Sequence, residues 1–175
     1  MARQIALLRG INVGGNKKVP MATLRAVFDG LGYTGVRTYV NSGNVVFDGP
    51  KATARKIEQA IEAQFGFDVA VVLRTRDELA QVVADDPFGD LADNPARYFV
   101  LFADRKLDAR KAEGVEVGPG ERWAVHDREI HLWLPEGVQG SKALKGMTEK
   151  RFGATLTSRN RRTVGKLLEM ADAAG

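Results

Sequence analysis

Cysteine is missing from this chain altogether, which removes disulfides, thiolate catalysis and cysteine-based zinc sites from consideration. Histidine is scarce. His126 and His131 are the only two, and no Asp/Glu set at ligand spacing accompanies them, so neither a metal nor a cofactor is expected. Both fall in one hairpin near tryptophan, where a packed or surface histidine is the ordinary outcome. Asp85-Asp86 reads as an acidic patch at a helix end rather than as a catalytic pair. Long apolar runs are lacking too, and none reaches membrane-spanning length. The opening Ile5-Ala6-Leu7-Leu8 is followed at once by Arg9 and Gly10, which is not a signal-peptide pattern. A cytoplasmic location and no membrane partner are the expectation.

What is present is ordinary for a folded protein. With 44% hydrophobic and 27% charged residues in 175, the chain can bury a core as one large domain or two small ones. The net charge of +4 hides an uneven spread. Residues 1–75 hold 10 Lys/Arg against 5 Asp/Glu, residues 76–140 hold 8 against 14, and residues 141–175 hold 8 against 3. Two basic ends flank an acidic middle. They either attract one another within the fold or present a basic surface to an acidic partner, nucleic acid or a nucleotide.

Residues 1–75 read as a ferredoxin-like unit of order β-α-β-β-α-β. Gln4 to Leu8 is a buried strand. Pro20 suits the first position of a helix carrying Met21, Leu24, Val27, Phe28 and Leu31 at helical spacing, closed by Gly32. Val36 to Val40 and Val45 to Phe47 are strands about the turn Asn41-Ser42-Gly43-Asn44. Thr53 caps a second helix through Ile57 and Ile61, and Val69 to Leu73 is the last strand. The crossover rule then makes strands one and two parallel with strand three between them. It follows that the Gly10–Lys18 loop and the Asn41–Asn44 turn are neighbours at one end of the sheet.

Residues 76–175 read as a second α+β unit, or an elaboration of the first, with a hairpin and two C-terminal helices. Thr75-x-x-Glu78 is a capping box opening a helix through Leu79, Val82 and Val83. Tyr98 to Phe102 is a strand, and Glu121 to His126 and Glu129 to Leu134 form a hairpin about Asp127-Arg128. Ser141 caps a helix through Leu144 and Met147. A last helix follows Ser158-Arg159-Asn160 and buries Val164, Leu167, Leu168 and Ala171.

Two Gly/Asn/Arg-rich segments stand out, Arg9 to Lys18 and Thr157 to Thr163, each placed before a helix-periodic stretch. Cations at a helix start are disfavoured by its partial positive charge and unpaired N–H groups unless an anion sits among them. Gly10, Gly14 and Gly15 let a ligand approach the main chain. Yet Asn16 stands where a P-loop has its lysine, and no Rossmann glycine pattern occurs. Strand one has no aromatic residue and strand three only Phe47, so RNA recognition across the sheet in the manner of an RRM is not expected. Ser42 is placed to hydrogen-bond a ligand oxygen and the two turn asparagines to bind amide or ribose groups; Ser42 has no histidine near in sequence to make it a nucleophile. Ser158 or Asn160 caps the last helix, which leaves the arginine forks of Arg159, Arg161 and Arg162 for phosphate or carboxylate.

The run from Ala6 to Gly15, then Lys18-Val19-Pro20-Met21, then Thr38 to Phe47 and the closing Ser158-Arg159-Asn160 with Thr163-Val164 and Lys166-Leu167 resembles domain-of-unknown-function family 1697. That family usually carries tryptophan where Arg161 stands here. The resemblance implies an α+β fold with a ferredoxin-like N-terminal part and supplies no activity.

The expectation is a basic site lined by Arg9, Asn12, Gly14, Gly15, Lys17, Asn41, Ser42, Asn44, Arg159, Asn160 and Arg162. Three functions suit it: a module binding nucleic acid or a nucleotide, an enzyme acting on a small phosphorylated or carboxylated metabolite, and a protein-interaction domain. No catalytic residue is identified, because no acid, base or nucleophile stands out.

Overall fold

The first strand, β1 (Ala2–Leu8), is apolar from Ile5 onward, and those side chains are buried on both of its faces. A strand of that kind belongs in the middle of a sheet. In the computed structural model, which describes residues 2–40 and 43–173, it pairs antiparallel with β3 (Asn44–Gly49) on one side and β4 (Val71–Thr75) on the other. Strand β2 (Thr34–Tyr39) adds outside β3, giving the order β2-β3-β1-β4. Helices α1 (Met21–Gly30) and α2 (Ala54–Phe65) complete a β-α-β-β-α-β succession. Strand three does run between strands one and two, opposite in sense to both.

The core of this part forms where alternate residues Ala6, Leu8, Val45 and Phe47 meet Leu24 and Phe28 of α1 and Ile57 and Ile61 of α2. Phe47 lies 5.1 Å from the Phe28 ring and 4.7 Å from Tyr33. Helix α2 stops at Gly66, which takes the left-handed conformation (φ 81°) and donates its N–H back to Glu62, as a C-terminal glycine should. Thr53 stands at the N-cap of α2 without making a side-chain bond, and Pro20 is the N-cap of α1 rather than its first residue.

The chain divides into two compact units, Met1–Gln81 with Lys166–Gly175, and Val82–Gly165. The return of the last residues to the first unit is secured by arginines. Arg3 donates to the Ala171 and Ala173 carbonyls, both at 2.7 Å. Arg37 donates to the Met170 carbonyl, and Arg76 pairs with Asp172 at 2.6 Å. These carbonyls belong to the end of helix α6 (Arg161–Asp172), where the last acceptors lack intrahelical donors and cations are favoured.

In the second unit β5 (Tyr98–Ala103), β6 (Arg122–His126), β7 (Glu129–Trp133) and β8 (Leu156–Asn160) form an antiparallel sheet of order β6-β7-β5-β8. Helix α3 (Arg76–Ala84) opens on the expected capping box, with Thr75 and Glu78 exchanging bonds of 3.1 and 2.8 Å. Ser141 caps α4 (Lys142–Gly146). The buried Glu121 carboxylate accepts from Ser141 Oγ at 2.6 Å and from the Gly118 and Ala143 N–H groups. Burial alone would raise its titration, but those bonds outweigh burial and hold it below the usual carboxylate range. Two elements are absent from the periodicity reading: α5 (Glu149–Phe152), capped by Thr148, and β8. The fold is therefore mixed α+β, with two four-stranded sheets and six helices among the described residues.

Candidate functional site

At the end of β1 the chain turns through Arg9-Gly10 into a small hairpin of its own. Asn12 N–H donates to the Lys17 carbonyl and Asn16 N–H to the Val13 carbonyl, at 3.1 and 3.0 Å, so Gly14 and Gly15 are the two residues of the turn. Both have positive φ, 58° and 79°, which is the requirement of a type I′ turn and the reason for a glycine pair. A Cβ on either would meet nothing within 4 Å. Their freedom serves the turn, and the space above them is open.

The base of this hairpin is closed by one side chain. Asn12 Nδ2 donates to the Val19 carbonyl and its Oδ1 accepts the Val19 N–H, at 3.0 and 2.8 Å. Asn12 is thus a structural clamp whose amide nitrogen and oxygen both bond the chain. Lys17 is also engaged: its ammonium donates to the Asp68 carbonyl at 2.7 Å and lies 5.9 Å from the Phe67 ring centre. Lys18 is exposed, and no side-chain bond or ion pair holds it among the described residues. An open cleft of about 370 Å³ lies beside it, lined by Asn12, Gly15, Lys18, Val19, Pro20 and Met21.

The turn between β2 and β3 packs against the same place, as the crossover argument requires. Gly43 accepts the Leu8 N–H through its carbonyl at 2.8 Å. A Cβ at Gly43 would lie 2.7 Å from Leu8 Cβ and 2.9 Å from Ile11 Cδ1. Asn44 is buried, with Nδ2 donating to the Tyr39 carbonyl, so it secures the turn and is not open to a ligand. Asn41 and Ser42 lie outside the described residues. Of the four non-glycine residues with positive φ among the described residues, Asn12, Lys17 and Val40 belong to these two segments. Val40 is the most unusual, since a β-branched side chain disfavours that region strongly. Val13 and Val40 are also among the few large apolar side chains left exposed.

The C-terminal segment belongs to the second unit and has a different character. Residues 156–160 are strand, paired with β5, so Arg159 is a strand residue rather than part of a helical turn. It is 8% exposed and donates to Thr157 Oγ1 and the Ser158 carbonyl. Burial lowers its titration to about 10, which leaves it charged near neutrality. Asn160 caps α6 by accepting the Thr163 N–H. Arg161 donates to the Val83 carbonyl and lies 5.8 Å from the centre of the Tyr98 ring. Arg162 is the exposed cation of the segment.

His131, expected as a packed or surface histidine, is packed in that unit, beside a partner that sequence reasoning did not name. The Tyr98 hydroxyl lies 2.7 Å from His131 Nδ1. Burial, then the Asp86 carboxylate, push the Tyr98 hydroxyl up. Desolvation brings His131 down to about 4, so it is neutral at pH 7. His126 Nε2 is 3.1 Å from Asp85 at the surface. Only the register β5–β7 brings Tyr98 and His131 together, and no local sequence signal announces it. No group of three or more His, Cys, Asp or Glu suited to a metal occurs among the described residues. Nor is any of the described helices long and apolar enough to cross a membrane.

No curated protein matches the chain. Among solved structures, it is similar to the conserved bacterial protein SP0830 from Streptococcus pneumoniae, with 26% identity and a TM-score of 0.76 over 98% of this chain and 99% of that one. Residues 1–131 match the model of a protein family of unknown function, DUF1697. The glycine hairpin, its asparagine clamp and the packed Gly43 turn all lie within that span, and the chain belongs to the DUF1697 family.

Proposed function

We propose that the chain recognises a phosphate-bearing ligand, nucleic acid or a nucleotide, at the glycine hairpin of its first unit. The observation that carries this reading is the seating of Gly43 against Leu8 and Ile11, which joins two strained Gly/Asn segments beside an open cleft. Backbone strain of this kind persists where surrounding structure enforces it and gathers at ligand sites. The Gly14 and Gly15 N–H groups have no acceptor among the described residues, and the exposed Arg9 and Lys18 supply positive charge. Helix α1, which follows, has no acidic residue in its first turn and no side-chain cap.

Fluorescence anisotropy with a labelled oligothymidylate and with a labelled nucleotide tests this. Two phosphate contacts on a single strand predict that affinity falls about sevenfold when salt rises about fourfold. Arg9→Ala and Lys18→Ala should each weaken binding and flatten that slope. Absence of binding, or binding indifferent to salt, refutes the reading.

A further inference from the structure

Resting on that phosphate reading, we infer that the cleft beside Lys18 seats the base of a single nucleotide. Val19, Pro20 and Met21 make an apolar wall. Most of the wall's main-chain hydrogen-bonding capacity is already spent. Both main-chain groups of Val19 are taken by Asn12, proline has no N–H, and the Pro20 carbonyl accepts the Leu24 N–H, which leaves the Met21 N–H at the start of α1. A sugar laid on such a wall would leave most of its hydroxyls without partners, whereas the flat face of a base covers it without that cost. The polar part of the lining is Asn12, Gly15 and Lys18, and the space above Gly15 is open. A phosphate held by Lys18 and the Gly15 main chain leaves the attached base in the cleft that Met21 also lines. The volume of about 370 Å³ sits at the small end of ligand clefts, roughly 300–1,000 Å³. It takes one base and not a stacked run.

Calorimetry with inorganic phosphate, ribose 5-phosphate and adenosine 5′-monophosphate separates this inference from the reading beneath it. Burying one face of a base on the wall should make the nucleotide bind about tenfold more tightly than ribose 5-phosphate. Met21→Ser should abolish that advantage while leaving ribose 5-phosphate unaffected. Lys18→Ala should weaken all three. The Met21 methyl resonance should move upfield with the nucleotide alone, a ring-current signature independent of affinity. Equal binding of the two sugar phosphates with an unmoved Met21 methyl overturns the base seat and leaves the phosphate site standing. If inorganic phosphate and both esters fail to bind, the phosphate site itself falls, and the base seat with it.

Discussion

Acid should weaken the second unit through one residue, His131. Its ring is 1% exposed, Nδ1 lies against the Tyr98 hydroxyl, and Nε2 is buried without a hydrogen-bond partner. Burial sets its titration at about 4 instead of 6.5. The unfolded chain therefore binds a proton below about pH 6.5 that the folded chain refuses until about pH 4. Stability is complete above the unfolded value and falls as pH drops through that window. Linkage gives a loss of about 2 kcal/mol between about pH 7 and about pH 5, and about 3 kcal/mol by about pH 4. Urea titrations followed by tryptophan emission suit the test, because Trp123 and Trp133 both lie on the β6–β7 hairpin of this unit. With a slope of about 2 kcal/mol per molar, the midpoint should fall by about 1 M between those first two pH values. His131→Gln keeps a polar partner for Tyr98 and does not titrate, so its midpoint should be lower at neutral pH but nearly flat to about pH 5. A variant with the same slope as the parent would show that the desolvation argument is wrong.

Other perturbations have equally definite outcomes. Gly43→Ala puts a methyl into Leu8 and Ile11 at a positive φ and should cost roughly 2–3 kcal/mol in chemical denaturation. Gly14→Ala meets only open space and should cost roughly 1–2 kcal/mol, from handedness alone. Arg37→Ala removes the donor to the Met170 carbonyl. It should destabilise by roughly 1.5–3 kcal/mol and speed amide hydrogen exchange in the last turn of α6, read by mass spectrometry; unchanged exchange would show that the arginine does not hold the helix end. Glu121→Gln cannot accept as an anion from Ser141, Gly118 and Ala143 together. A loss of about 2 kcal/mol at neutral pH is expected, shrinking as acid protonates the parent carboxylate, because that group's folded titration is depressed.

The first unit was legible because its signals are local. Met21, Leu24 and Phe28 repeat at helical spacing, Gly66 closes α2, and the right-handed crossover then places the two turns together. The neighbouring turns, confirmed at Gly43 against Leu8, were deduced from topology and not from any residue in the turn. Strand β8 failed the same reading because Thr157-Ser158-Arg159-Asn160 is polar and resembles a capping segment. Its conformation is set by pairing with β5, a long-range contact that outweighs local propensity. Arg159 was misread with it, since a guanidinium on a buried strand position has no local signature. Glycine and asparagine near the candidate site were noticed for their chemistry, while their main use proved to be geometric. Asn12 closes a loop, Asn44 secures a turn, and Gly14-Gly15 supply a reversed twist. Lys17 rather than Lys18 was named for the site, because which of two adjacent lysines is tethered, here to the Asp68 carbonyl, has no local signal.

The Asn12 amide has a consequence for how this protein can vary. Like a chuck gripping an interchangeable bit, it fixes where the chain leaves one element and joins the next, whatever projects beyond. A change confined to the tip, Gly14 and Gly15, need not move either neighbour while the grip at Val19 holds. The tip is thereby uncoupled from the architecture, and it can change while the body stays as it is.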